Sequence, residues 1–258
     1  MSVQSDSSKP DLSKLKLSVS QFAERFRGDM IPLGTTFSYY CAATPWGADD
    51  LRDYLEEPIS ALPLAVSSQL PKISILLVPY LSKSKPNDIV SMEKPAEDKL
   101  AFTTQLKVGQ EAVLAFGLKG QEVAEYHYRF YNQIATLVAD RAVKPESTEL
   151  DLPPFVALLR DELTGVVHGE VDEESWRVKQ QIVRRSGKVK TDGKLFLTYA
   201  RQSFIDTLTL YLHGICCDID VDAGPRQLPS RFLRKRLLVL REFFPPPAGF
   251  AVLPEDMK

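Results

Sequence analysis

Asp218, Asp220 and Asp222 alternate in a short run that follows His213, Cys216 and Cys217 almost directly. Carboxylate oxygens bind hard divalent cations, whereas imidazole and thiolate bind zinc. Alternating aspartates along one side of an extended segment could hold Mg²⁺ together with a phosphate, with His213 nearby. The run is not an EF-hand loop. Such a loop needs Gly at its sixth position and Glu at its twelfth, where this chain has Ala223 and Pro229. A solvated loop after a helix is the simpler reading of the charges.

Zinc sites usually announce themselves by paired C-x-x-C or H-x-x-x-H spacings. Only Cys41 lies elsewhere, and neither His127 nor His168 falls in such a pair. Cys216 and Cys217 therefore read as small apolar residues at a helix end. A Cys–His nucleophilic pair would need proximity in space that spacing does not supply. His127 falls near the apolar face of its helix and reads as a hydrogen-bonded core histidine. The Glu-x-x-His signature of carboxylate-bridged bundles is absent. So are the phosphate-binding, dinucleotide-binding, nucleophile-elbow and metalloprotease motifs. No cofactor is expected, except a divalent metal if the aspartates bind one.

The strongest asymmetry is electrostatic. Between Trp176 and Arg241 there are fourteen basic residues and five acidic ones, in a chain whose formal net charge is −2. The remainder of the chain is correspondingly acidic. The basic set includes Arg184, Arg185, Lys188, Arg231, Arg234, Lys235, Arg236 and Arg241. Side chains of this kind on one face attract phosphates or an acidic partner. The alternative is a well-solvated helical surface, or one paired with the acidic half. Leu233, Leu237, Leu240 and Phe244 give the last helix an apolar stripe beside these charges. Basic amphipathic helices bind polyanions, and they also dock on cores as terminal helices. No zinc-finger spacing, RNP sequence or GXXG loop accompanies the charge.

These residues need a frame, and composition permits one. In 258 residues, 44% hydrophobic and 26% charged, a sizeable core needs no disulfides. Three cysteines, two of them adjacent, are too few for a disulfide framework and point to a reducing, cytoplasmic setting. Residues 1–16, rich in Ser, Lys and Asp, read as a disordered lead-in without a signal peptide's apolar region.

Ser18 and Gln21 predict a capping box opening a short helix that stops at Gly28. Strands are expected over Thr35–Ala43, Ile73–Tyr80, Lys99–Val108 and Ala112–Leu118, the last two as an antiparallel hairpin. A helix over Ala48–Glu57 should end at Pro58, and residues 82–98 read as a polar loop. A βαβ unit within this region stays open as an alternative.

From Gly120 the apolar period changes from two to 3.6, which predicts five successive helices. The fourth, residues 194–215, is apolar around most of its circumference and should be the buried centre of a bundle. Its Arg201, Asp206 and His213 exclude a membrane span. Asp206, if buried, needs a partner, and a structural ion pair is expected. The fold class is thus α+β: a small, mostly antiparallel sheet region over 17–119 and a helical half over 120–258, together in one compact unit. The expected function is that of a non-catalytic interaction subunit whose basic face meets an acidic partner or nucleic acid. The alternative is a metal-dependent enzyme acting on a phosphate-containing substrate through Asp218, Asp220 and Asp222.

Overall fold

Two sheets and a set of helices make up the chain, α+β as its two apolar periods require. The computed structural model describes residues 16–43, 45–143, 150–185, 193–217 and 226–252. The expected lead-in lies outside these residues apart from Lys16. Contacts divide the chain into two units. One comprises the residues up to Trp46 together with Pro71–Gln121, and the other Gly47–Leu70 with the residues from Glu122 onward.

In chain order the first unit contains β1 (Leu17–Ser18), α1 (Val19–Arg25), β2 (Ile31–Leu33), β3 (Phe37–Cys41), β4 (Ile73–Val78), β5 (Tyr80–Ser82), β6 (Ile89–Ser91), β7 (Leu100–Ala101), β8 (Thr103–Val108) and β9 (Glu111–Gly117). The larger sheet runs β2-β3-β4-β9-β8 and the smaller β1-β6-β5-β7. The β8–β9 hairpin is antiparallel as its alternation predicts. The larger sheet is parallel at its centre, where β4 lies between β3 and β9. That position suits β4, whose Ile75, Leu76, Leu77 and Val78 are all fully buried.

The chain leaves after β3, forms Gly47–Leu70 and returns as β4 parallel to β3, so the βαβ alternative describes this connection. The segment 82–98, expected as a loop, contributes β6 to the smaller sheet. Three-residue strands carry too little alternation to announce themselves. Gly117 lets the strands approach closely. A Cβ there would lie 3.1 Å from the Leu81 backbone nitrogen. The capping box of α1 is present: Gln21 N–H donates to Ser18 Oγ at 3.3 Å, and Ser18 N–H to Gln21 Oε1 at 3.0 Å. Such a cap is worth about 1 kcal/mol. It turns Phe22 and Phe26 onto Tyr40, whose ring stacks 4.4 Å from that of Phe26.

The second unit holds α2 (Ala48–Leu51), α3 (Glu57–Ser60), α4 (Leu64–Ser67), α5 (Val123–Ala142), α6 (Pro153–Thr164), α7 (Glu173–Arg185), α8 (Lys194–Cys216) and α9 (Ser230–Phe243). Four of these, α5, α6, α7 and α9, pack on α8. Phe196, Tyr199, Phe204, Leu208, Tyr211 and Leu212 of α8 have no exposed surface. Tyr211 donates to the Phe244 carbonyl at 2.6 Å, tying the end of α9 to the centre of the bundle.

Pro58 does not end its helix. Between α2 and α3 the backbone takes π register over Arg52–Glu56, and the Glu57 N–H bonds back to the Arg52 carbonyl. A proline ring collides with the carbonyl four residues earlier in α register, and the wider turn relieves that collision. No helix among the described residues is long and apolar enough to cross a membrane.

Candidate functional site

The π turn has a consequence for one carbonyl. In π register the Asp53 oxygen would accept from residue 58, but Pro58 has no N–H to give. His127 of α5 supplies the donor, its Nε2 lying 2.6 Å from the Asp53 oxygen. A carbonyl only accepts, so Nε2 carries a proton, and in the neutral ring Nδ1 presents its lone pair on the other side. That side faces the last turn of α8, where Cys217 Sγ lies 3.2 Å from Nδ1. His127 is 4% exposed, and the two cysteines are half-buried and carry no disulfide.

His213, one turn before the cysteines on α8, completes the group. A ring nitrogen of each histidine and Cys217 Sγ all lie within 4.8 Å of one another. His213 Nε2 is out of water and has no hydrogen-bond partner among the described residues. The rings of Tyr128 and Tyr131 each lie 6.1 Å from that of His213, and the Tyr131 hydroxyl donates to the Pro58 carbonyl at 3.1 Å. Helices α5 and α8 and the π turn thus converge at one place, which no single stretch of sequence contains.

The electrostatics are those of a thiol–imidazole cluster. Hydrogen bonding from Cys217 holds the Cys216 thiol well below the usual thiol range, helped by His127 and Tyr131 and opposed by burial. Of the two sulfurs, the hydrogen bond at 3.2 Å belongs to Cys217, while Cys216 acts on the ring by its charge as well as by hydrogen bonding. Desolvation works against a charged His127. The hydrogen bonds to thiol and carbonyl outweigh it, and its pKa is raised. His213 is lowered, first by burial and then by the nearby His127.

The basic residues divide. Arg231, Arg234 and Lys235 are exposed on α9, and Arg184 is exposed on α7. Phe232 lies among them, with the Arg231 guanidinium 4.7 Å and the Lys235 ammonium 5.8 Å from its ring centre. Arg241 is half-buried. Arg185 ends α7, and Lys188 lies outside the described residues.

Arg236 does not belong to the basic face. It is fully buried on the docked side of α9 with Leu233 and Leu240. Its Nη1–H donates to Glu170 Oε2 at 2.8 Å, and its Nε–H to Glu162 Oε2 at 3.1 Å. Tyr199 donates to Glu170, and Lys179 approaches the same carboxylate at 2.9 Å. Two buried cations thus meet two buried carboxylates, and none of these charges is available to a partner. Burial alone would raise the Glu170 pKa, but Arg236 and then Lys179 hold it down to about 2.

Asp206 is buried as expected but has no ion pair among the described residues. Arg201 pairs with Asp140 instead. The Asp206 carboxylate accepts from the Ser175 backbone N–H at 3.2 Å and from Gln202 Nε2 at 2.8 Å. The first of these caps the start of α7, where N–H groups lack helical partners. Burial raises its pKa to about 6 against these hydrogen bonds. Asp218, Asp220 and Asp222 lie outside the described residues. His168 is exposed.

No protein-family model matches the chain, and no curated protein matches its sequence.

Proposed function

We propose that this protein is an interaction subunit that binds a polyanionic partner, an acidic protein surface or nucleic acid, through the exposed side of α9. What supports this reading is the division of that helix. Leu233, Leu240 and the adjoining Phe244 are buried, whereas Arg231, Arg234 and Lys235 are exposed around Phe232. A helix anchored by its apolar stripe presents its opposite side with its backbone already ordered, and the Phe232 ring holds the Arg231 and Lys235 cations beside it by cation–π contact. Arg184 on α7 adds to the same class of surface charge.

The experiment is a fluorescence anisotropy titration of the full chain with labelled oligonucleotide and labelled polyglutamate, each at low and high salt. Binding should weaken linearly in log–log form with salt, and each lost phosphate contact should reduce the slope by about 0.7–0.9. The Arg231→Ala, Arg234→Ala, Lys235→Ala triple variant should lose at least about tenfold in affinity with its melting temperature unchanged. Arg236 is left in place because its removal would test folding instead. Equal binding by the triple variant and the parent would refute the proposed face. The probe that binds distinguishes nucleic acid from an acidic protein surface.

A further inference from the structure

We propose that His127, His213 and Cys217 form a zinc site, with the fourth tetrahedral position left to water. It lies apart from the basic face and does not depend on that reading. Imidazole nitrogen and thiolate sulfur are the donor types zinc prefers, and three protein ligands with one open position are a common arrangement for an exchangeable fourth ligand.

The three donor atoms already lie within 4.8 Å of one another. Zinc–nitrogen and zinc–sulfur bonds of about 2.0–2.3 Å place tetrahedral donors roughly 3.3–3.6 Å apart. The His127–Cys217 pair, at 3.2 Å, is close to that spacing. No pair lies more than about 1.5 Å beyond that spacing, a difference that side-chain rotations of His213 and Cys217 near the helix end can close.

Three further features favour a cation. The Asp53 carbonyl fixes the proton on His127 Nε2 and leaves Nδ1 as the donor atom, the outer-shell arrangement by which ligating histidines are oriented. Pro58, which has no N–H, cannot be the fifth-residue donor to that carbonyl, so the chain itself leaves room for the His127 hydrogen bond. His213 Nε2 is removed from water without a hydrogen-bond partner among the described residues, and a bound cation is one way to satisfy such a buried polar atom. Finally, Cys217 caps the C-terminus of α8, where unpaired carbonyls make the helix end negative.

The spacing rules missed this site because its ligands are not paired in sequence. His127 and Cys217 are 90 positions apart. Cys216, immediately before Cys217, is not among the three donors that converge.

The test is titration of chelator-stripped full-length protein with Zn²⁺, and with Co²⁺ as a spectroscopic probe, under reducing conditions. One equivalent of metal should bind. Cobalt should show tetrahedral visible bands with a sulfur-to-metal charge-transfer band. Cys217→Ser should abolish the charge-transfer band, and His213→Gln should weaken binding beyond the about 10–100-fold cost of losing an outer-shell partner. Cys216→Ser should keep both stoichiometry and spectrum. His127→Ala removes a buried ring and risks the fold, so the half-buried Cys217 and His213 carry the test. Absence of stoichiometric binding, a cobalt spectrum unchanged in Cys217→Ser, or loss of the band in Cys216→Ser alone would each overturn the assignment.

Discussion

Arg236 and Glu170 form an ion pair, Nη1 to Oε2 at 2.8 Å, in which neither side chain has any exposed surface. Glu162 flanks the same guanidinium, and Tyr199 and Ser203 complete its hydrogen bonds. Helices α6, α8 and α9 are thereby joined through one side chain. Removing one partner of such a group leaves a charge without compensation in the interior, a loss of about 3–5 kcal/mol. Arg236→Ala should lose that much in urea unfolding. The exposed triple variant at Arg231, Arg234 and Lys235 should change stability by less than about 1 kcal/mol. Similar losses in both would contradict the separation of buried from exposed charge on α9.

Glu170 also sets an acid limit. Its folded-state pKa of about 2 lies below the ordinary 4.5. The ionised carboxylate therefore stabilises the fold fully above pH 4.5, and that contribution, about 3 kcal/mol, disappears as the pH falls through 2. Stability measured from pH 7 to pH 2 should fall over this window. In Glu170→Gln it should start lower and fall less.

Asp206 works in the opposite sense. Its pKa of about 6 exceeds the ordinary 3.8, so the fold prefers the neutral carboxyl. The resulting contribution is complete below pH 3.8 and is lost as the pH rises through 6, a change of about 3 kcal/mol. Asp206→Asn keeps an oxygen for the Ser175 N–H and carries no charge. It should be as stable as the parent in acid and more stable at pH 8, measured by thermal unfolding at both values. A less stable variant at pH 8 would show that the charge itself is needed.

Gly169 allows no side chain. Its φ is +85°, and a Cβ would fall 2.1 Å from the Gln227 carbonyl oxygen. There the backbone of Glu170 pairs with Arg226 and Leu228, which brings the Glu170 carboxylate beneath Arg236. Gly169→Ala must separate these strands of chain and should cost more than about 1 kcal/mol. It should also weaken the pH dependence assigned to Glu170, which a purely local strain would leave intact.

Legibility in sequence followed the range of the interaction. The capping box at Ser18 and Gln21, the β8–β9 alternation and the five helices after Gly120 are written in neighbouring residues, and each formed as its pattern predicts. The short strands β1, β2 and β6 were not legible, because two or three residues acquire a partner only when the sheet exists. Arg236 carried a readable signal: it falls three positions after Leu233 and four before Leu240, on the stripe that docks. Charge type masked that position, since an arginine is buried only where carboxylates wait for it.

His127 was legible as a buried, hydrogen-bonded ring, and so it is. Its second partner was not, for no spacing rule links position 127 to position 217. By itself the sequence determined the α+β class, the helix and strand periods and the apolar centre of the bundle, because propensity, capping and hydrophobic period act over a few residues. Only the tertiary structure decided which charges are withdrawn from solvent and which donor atoms converge. Those outcomes depend on burial bringing distant segments together: Glu162 and Glu170 around Arg236, and His127 and His213 beside Cys217.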